Sequence, residues 1–358
     1  MSASLRQFLF LAATDTKKGF FINIVKFFLW SLSCCYGLAI NFILLSYRIG
    51  LLKKHRLPRP VISIGNLTWG GVGKTPFVLW LAKELKSINL KPVILTRGYM
   101  VKVGRKNHPS DEAKMIEEVL KDVPVVVGQN RIACAHQFLQ NNEADVFILD
   151  DGFQHWGLAR DLDVVLIDAT NPWGNGHLIP RGILREPLKS LKRADIVCLT
   201  KTDLAKDKVV SIKNNLKQIS SKLLIGETIH QAVRLKDVYR SSIYGLSLLE
   251  NKRVACLCSV GDPKSFESTL KNLGAQVIKN FPFMDHHAYT EEEINKIMEE
   301  CLKENIQTIV TTDKDAVKIA SFQKFTDEKL SILSLQIDIL FIQGKDEFLD
   351  RVYHLVHS

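Results

Sequence analysis

The first part of the chain is dominated by one long apolar segment. Between residues 27 and 47 there is no charged residue, which is long enough for a helix that spans a bilayer. On a helical projection, polar or small residues form one narrow seam: Lys26, Ser33, Gly37, Asn41 and Arg48. Such a seam, with basic residues on both sides of the segment, favours a helix lying in the interface beside anionic lipid. A spanning helix and a helix packed against the rest of the protein stay open.

After Pro58 and Pro60 the pattern changes to short apolar runs separated by helical stretches. Continuous β-branched runs that alternate with helices are typical of buried parallel strands. We therefore expect an α/β fold built on a doubly wound, mostly parallel sheet. The predicted strands of this first domain lie at residues 61–64, 93–96, 123–127, 146–149, 164–167 and 196–199.

The alternation of short apolar runs with helical stretches is interrupted once and then resumes. The stretch at 226–250 is less regular, and we predict a linker or hinge there. Apolar runs at 253–260, 276–281, 307–311 and 330–336 then predict a second, smaller α/β domain. The expected organisation is an apolar helical, membrane-associating segment at 1–57, a nucleotide-binding domain at 58–225, the linker at 226–250 and the smaller domain at 251–358.

A glycine-rich loop joins the first strand to the first helix of the sheet. Its sequence departs from the common P-loop pattern because Thr68 replaces the first glycine, and it resembles the Gly-Gly-x-Gly-Lys-Thr variant. Backbone N–H groups of such a loop and the helix N-terminus behind it bind phosphate. Lys74 would reach the β- and γ-phosphates, and Thr75 would hold Mg²⁺. The predicted nucleotide contacts are Thr68, Trp69, Gly70, Gly71, Val72, Gly73, Lys74 and Thr75.

Two carboxylates follow another strand of the same predicted sheet. Residues 145–149 run into Asp150 and Asp151, which places both at the carboxyl edge where such sheets bind ligands. One of them can hold the Mg²⁺ that neutralises charge on a transferred phosphoryl group. A later turn-rich loop carries Arg181 and Arg185, and arginines so placed can clamp phosphate.

Composition and charge narrow the class of partner. The chain has 46% apolar and 24% charged residues, which excludes a disordered or polytopic membrane protein. A net charge of +10 indicates an anionic partner. There is no arginine-rich tract or zinc-finger spacing, so lipid headgroups or a phosphorylated metabolite are preferred to nucleic acid. The scattered cysteines predict reduced thiols in the cytosol.

The order of these motifs resembles the tetraacyldisaccharide 4'-kinases, which phosphorylate the lipid A precursor of Gram-negative bacteria. The resemblance covers nearly the whole chain. Besides the glycine loop it is carried by Arg97-Gly98-Tyr99, Asp150-Asp151-Gly152-Phe153-Gln154-His155, Gly174-Asn175-Gly176, Leu184-Arg185-Glu186-Pro187, Asp285-His286-His287 and Thr312-Asp313-Lys314-Asp315-Ala316-Val317-Lys318.

The resemblance implies an ATP- and Mg²⁺-dependent transfer of the γ-phosphate to the 4'-hydroxyl of a tetraacyldisaccharide 1-phosphate. It implies two α/β/α domains whose cleft closes over the substrate. It also implies an N-terminal helix resting on the cytoplasmic face of the inner membrane. The expected partners are therefore the lipid disaccharide and the anionic membrane surface, with no nucleic acid and no obligate protein partner.

The resemblance also implies roles for single residues. Asp111 would activate the sugar 4'-hydroxyl, with His286 of the second domain as its partner and Lys74 on the phosphates. The family's Gly-Asp-Glu-Pro motif reads Ser110-Asp111-Glu112-Ala113 here, so the glycine and the proline that flank the family's acidic pair are absent. The metal residues implied are Thr75, Asp150, Asp151 and Glu186, and the substrate contacts implied are Arg131, Gln154, His155 and Arg185.

Two other functions compete with the kinase. A GTPase switch is one, because Thr200-Lys201-Thr202-Asp203 follows a strand and mimics the guanine-reading Asn-Lys-x-Asp pattern. A membrane-recruited adaptor that binds nucleotide without turnover is the other, and the many candidate carboxylates argue against it. Nucleotide preference and transfer of phosphate to a lipid would separate the three.

Overall fold

The computed structural model describes residues 15, 19–98, 101–103, 106–108, 115–117, 119–240, 242–284, 287–322 and 330–357. The helices are α1 (Phe20–Arg48), α2 (Lys74–Ser87), α3 (Arg131–Leu139), α4 (Lys206–Ile219), α5 (Pro263–Asn272), α6 (Glu291–Lys303), α7 (Asp313–Ile319) and α8 (Lys345–His357). The strands are β1 (Val61–Asn66), β2 (Pro92–Thr96), β3 (Val101–Val103), β4 (Lys106–His108), β5 (Val125–Val127), β6 (Val146–Asp150), β7 (Leu162–Asp168), β8 (Ile196–Thr200), β9 (Leu224–Asp237), β10 (Ile243–Tyr244), β11 (Arg253–Cys258), β12 (Gln276–Pro282), β13 (Thr308–Thr312) and β14 (Ser331–Gln343).

One twelve-stranded sheet runs through both predicted domains, in the order β12-β11-β13-β14-β9-β8-β7-β1-β6-β2-β5 with β10 paired to β9. Strands β9, β8, β7, β1, β6, β2 and β5 run parallel, and we call them the first block. Strands β14, β13, β11 and β12 also run parallel and form the second block. The blocks meet at the antiparallel pair β9–β14. The mostly parallel α/β sheet predicted from the sequence is confirmed.

The length of β9 determines how the two blocks face each other. Its first residues, 224–227, pair with β8. Its later residues pair with β14, which in turn pairs with β13, so that the end of β13 lies level with Leu235 of β9. That offset of several residues corresponds to roughly 25 Å along the strand. Because the second block runs in the opposite direction, its carboxyl edge faces the carboxyl edge of the first block. The fold therefore creates a cleft lined by strand ends from both sides.

The predicted linker at 226–250 is mostly regular structure. The prediction of an irregular stretch is wrong, because β9 and β10 occupy much of it. Buried residues such as Thr228 and Leu235 are interspersed with exposed ones such as Val233 and Arg234, so the segment lacks the continuous apolar run of a fully buried strand. Helix α8, assigned from the sequence to the smaller domain, packs on the first block through Phe348. Movement about this region stays a prediction.

Helix α1 has two different faces. Among the described residues it is the one helix long and apolar enough to cross a membrane. The seam seen in the sequence turns inward: Ser33 and Gly37 are buried against the protein. The opposite face leaves large apolar side chains exposed, including Phe20, Leu38 and Phe42. The polar seam therefore packs against the rest of the protein, as one of the alternatives predicted. The exposed apolar face is typical of a membrane-associated helix.

Candidate active site

The glycine loop has the backbone that its sequence requires. Strand β1 is buried throughout and leads into the loop, and α2 begins at Lys74. Gly70 has φ +136° and Gly73 has φ +89°, conformations that L side chains rarely adopt. A Cβ on Gly73 would also collide with the imidazole of His230 on β9. Glycine at position 73 is thus required by the backbone and by its neighbour.

Lys74 is held by the acidic strand end that the sequence predicts. Its Nζ donates to Asn66 Oδ1 at 3.1 Å and lies 3.4 Å from Asp151 Oδ1. Arg185 Nη1 donates to both Asp151 oxygens, at 2.9 and 3.0 Å. Burial alone would raise the pKa of Asp151, but the charges of Lys74 and Arg185 outweigh it and lower that pKa. Asp151 is therefore an ionised carboxylate shared by two cations.

Asp150 lies at the end of β6, next to β1, and is 5% exposed. It accepts from Thr96 Oγ1 at 3.3 Å and lines the same cavity as Thr75. No cluster of three or more acidic, histidine or cysteine side chains in the described ranges could hold a metal alone. Hydroxyl and carboxylate oxygens suit Mg²⁺, which commonly keeps waters and phosphate oxygens as further ligands. Thr75 and Asp150 fit such a site.

The cavity has a volume of about 620 Å³ and lies in the cleft between the two blocks. The first block contributes the glycine loop, Asp150, Asp151 and three arginines at 97, 131 and 185. The second block contributes Asp313 and Lys314. One part is apolar, lined by Leu79, Phe266, Leu335 and Ile337. A cavity of this size, with charged and apolar parts, is suited to a nucleotide.

The turn after β11 touches the glycine loop directly. A Cβ on Gly261 would lie 2.8 Å from Gly71 N, so the two backbones are in close contact. Asp262 caps α5 by accepting from Ser265 N at 3.2 Å, and its side chain lies 3.8 Å from Lys201 Nζ. The sequence analysis missed this turn, although an Asp N-cap before Pro263 directly after a strand is a helix-start signal.

His230 is another site residue that the sequence analysis missed. Its Nε2 is buried and has no hydrogen-bond partner within the described part of the chain. Burial, and then the charge of Lys201, lower the pKa of His230 to about 4. A neutral imidazole therefore packs behind Gly73. No sequence signal could have found it, because it is one position of a half-buried strand.

Three predicted site residues lie behind the cavity wall. Glu186 is 0% exposed and accepts from Arg193 at 3.0 and 3.2 Å and from Trp156 Nε1 at 3.2 Å. Gln154 donates to Glu186 and to Asn66 O. Burial, and then Arg131, lower the pKa of His155 to about 4. Glu186 is thus bonded to Arg193, Trp156 and Gln154, and Glu186, Gln154 and His155 do not line the cavity. The metal role of Glu186 stays a prediction.

The other predicted residues divide as follows. Arg131 and Arg185 line the cavity, as do the residues from Trp69 to Thr75. Thr68 instead pairs with Leu184 in a short bridge. Asp111 and His286 lie outside the described residues. Of the guanine-like motif, Lys201 lines the cavity, whereas Asp203 is exposed and does not.

The second block carries its own buried network, the Asp315 cluster, formed by Ser259, Asp315 and Lys318. Asp315 accepts from Ser259 N at 2.7 Å and from its hydroxyl. Lys318 Nζ donates to Ser259 Oγ at 2.9 Å, to Asp315 Oδ1 at 3.2 Å and to His287 O at 3.0 Å. The cluster ties the turn after β11 to the segment before α6.

Comparisons with known proteins agree on one family. The model of the tetraacyldisaccharide-1-P 4'-kinase family matches residues 25–356. A tetraacyldisaccharide 4'-kinase of Halothermothrix orenii is 37% identical over 344 residues, covering 88% of this chain and 89% of the relative. A probable mitochondrial one of Arabidopsis thaliana is 37% identical, with 80% of each chain covered. The crystal structure of LpxK from Aquifex aeolicus in complex with ATP has a TM-score of 0.69 at 28% identity, covering 93% of this chain and 99% of that one.

Proposed function

The chain belongs to the tetraacyldisaccharide-1-P 4'-kinase family, and from that premise we propose how its residues divide the work. It is an ATP-dependent kinase of lipid A biosynthesis that phosphorylates the 4'-hydroxyl of a tetraacyldisaccharide 1-phosphate. The observation that carries the proposal is the cavity in which the glycine loop, Asp150 and Asp151 meet the carboxyl edge of the second block.

Lys74 exchanges partners during the reaction. In the described structure it is held by Asp151 and Asn66. The γ-phosphate carries more charge and enters the same cavity, so Lys74 moves from Asp151 to the phosphate while Asp151 stays paired with Arg185. Asp151 thereby keeps the lysine aimed at the cavity before ATP arrives. Such preorganised positive charge lowers the barrier by stabilising charge on the transferred group.

Thr75 and Asp150 would hold the Mg²⁺ that accompanies ATP, and the ion would supply neutralisation of the phosphate charge. The buried carboxylate of Asp150 is preferred to Asp151 for this role, because Lys74 and Arg185 already occupy Asp151. Glu186 holds Arg193 and Trp156 and acts on the site through its neighbours.

The acceptor side carries the roles implied by the family. Asp111 removes the proton of the 4'-hydroxyl, with His286 as its partner. Arg131 and Arg185 face the cavity as guanidinium groups that can bind the anionic groups of the reactants. The exposed apolar face of α1 seats the enzyme on the cytoplasmic face of the inner membrane, where the acyl chains of the substrate are anchored.

Transfer to a defined lipid tests the proposal. The full chain is incubated in detergent micelles with labelled ATP and a tetraacyldisaccharide 1-phosphate, and the position of new phosphate is mapped. We expect label at the 4'-oxygen, and none when the acceptor already carries a 4'-phosphate. Transfer supported by GTP in strong preference to ATP, or no transfer to the lipid, contradicts it.

A further inference from the structure

Helix α1 and the glycine loop share one neighbour, residues 173–187, which we call the bridging loop. On the nucleotide side, Arg185 N donates to Leu67 O at 2.7 Å, and Trp69 N donates to Ile183 O at 2.6 Å. These backbone bonds lie directly ahead of the phosphate-binding glycines. The bridging loop therefore helps to set the position of the glycine loop.

The bridging loop also acts on the carboxylate that holds Lys74. The side chain of Arg185 binds both oxygens of Asp151 and lies 3.3 Å from Gln154 Oε1. Arg185 thus contacts the approach to the glycine loop through its N–H and Asp151 through its guanidinium. A small displacement of Arg185 would therefore move both the glycine loop and the Asp151 carboxylate, which lie on either side of Lys74.

The backbone carbonyl of Arg185 accepts a hydrogen bond from a side chain of α1. The Tyr36 hydroxyl donates to Arg185 O at 2.8 Å, and the Ser33 hydroxyl donates to Leu178 O at 2.6 Å. Gly37 permits this approach, since a Cβ there would lie 2.9 Å from Leu178 Cδ1. Burial and the Glu186 carboxylate raise the pKa of Tyr36, so its hydroxyl stays a donor.

A second contact between α1 and the bridging loop lies nearer the start of the helix. Asp15 accepts from Arg181 Nη2 at 2.9 and 3.0 Å and pairs with Lys26 Nζ at 2.6 Å. Asn175 Nδ2 donates to the same carboxylate at 2.9 Å. The docked side of α1 is therefore held at two places along the bridging loop, while its apolar side faces away from the protein.

We propose that Tyr36 and Ser33 are positioning residues for phosphoryl transfer, which hold the bridging loop so that Arg185 keeps Asp151 and the glycine loop in place. The inference rests on the proposed function, because it requires that Lys74 and Asp151 serve the transfer. It gives α1 a part in turnover that is separate from attachment to lipid. A change in the seating of α1 would alter kcat without any change at the reacting atoms.

The test uses the full chain in mixed micelles with ATP and the lipid acceptor both saturating. Tyr36→Phe and Ser33→Ala each remove one hydroxyl from the docked side. The matched control is Ser31→Ala. In the described structure the Ser31 hydroxyl donates to Phe27 O of its own helix, at 3.1 Å, and it makes no hydrogen bond to the bridging loop. We expect Tyr36→Phe to lower kcat about five- to tenfold, the order of one hydrogen bond of net stabilisation. Ser33→Ala should lower it less, and Ser31→Ala should leave it unchanged.

Two further measurements separate positioning from anchoring. If α1 only anchored the enzyme, the variants would raise KM for the lipid, and more lipid in the micelle would restore the rate. In an Arg185→Ala background, Tyr36→Phe should cost less than in the unaltered enzyme, because the guanidinium link to Asp151 is already absent and only the backbone bond to Leu67 remains to be disturbed. A full-sized additional loss there, a defect cured by lipid, or no defect in kcat overturns the inference. Failure of the unaltered enzyme to phosphorylate the lipid would instead count against the proposed function.

Discussion

Two of the lysine–carboxylate pairs at carboxyl strand edges in the described part of the chain have different surroundings. Lys74 and Asp151 of the first block have side chains 18% and 33% exposed and lie at the cavity wall. Lys318 and Asp315 of the second block are 6% and 0% exposed and are surrounded by hydroxyl groups. An ion pair open to a cavity can exchange one partner for a ligand, whereas a fully bonded buried pair cannot. The first pair is suited to chemistry and the second to architecture.

Removal of the lysine from the open pair should have the largest effect. Lys74→Ala should reduce phosphate transfer by at least about 10³-fold, since one preorganised group facing the developing charge is worth that order. The control is Lys83→Ala on the same helix, which loses only an exposed pair with Asp338. Rates from purified variants, with circular dichroism as the check on folding, decide the matter. Turnover of Lys74→Ala near that of the control would refute the assignment.

Removal of the lysine from the buried pair should act on stability instead. Lys318→Ala should lower the free energy of unfolding by about 3–5 kcal/mol, because it leaves the Asp315 carboxylate buried without its partner. Lys296→Ala, which breaks the exposed pair with Glu292, should leave the free energy of unfolding nearly unchanged. Denaturant unfolding measures both. Equal losses of unfolding free energy in the two variants would mean that burial does not determine how much an ion pair stabilises this protein.

Gly73 lies next to Lys74 of the open pair and packs against His230 of β9. Gly73→Ala should lower kcat/KM for ATP by roughly 10²-fold, because the methyl group meets the imidazole and the residue needs φ +89°. Gly50→Ala carries a similar backbone requirement, at φ +80°, with nothing near its Cβ, and should leave ATP kinetics unchanged. Adding His230→Ala should recover part of the loss. If it recovers nothing, the collision is not the cause.

A smaller effect should follow from pH. Because the pKa of His230 is lowered to about 4 in the folded protein, the unfolded chain takes up a proton first as pH falls. This contribution to the free energy of unfolding is complete above about pH 6.5 and is lost between about 6.5 and 4, by about 3 kcal/mol. His230→Gln should flatten that part of the profile of unfolding free energy against pH, although His155 contributes in the same range. An unchanged slope would show that His230 does not titrate in this way.

The sequence predicted well where one local pattern determines the structure. Apolar runs located the strands, and the glycine loop and Asp150-Asp151 were found because each motif lies on one short segment. The sequence did not predict that one sheet runs through both domains, because β9 is only partly buried and its pattern is not a simple apolar run. The metal role of Glu186 stays a prediction, and its hydrogen bonds with Arg193 and Trp156 could not be predicted from its own motif. His230 reaches the loop only through the pairing of β9.

The reversal of strand direction at β9 and β14 has a mechanical consequence. Residues 227–237 are joined to β14 by a ladder of backbone hydrogen bonds, which resists stretching and yields to torsion. We predict that narrowing of the cleft around a nucleotide winds this ribbon as a whole, with each rung turning slightly, instead of bending the chain at one hinge residue.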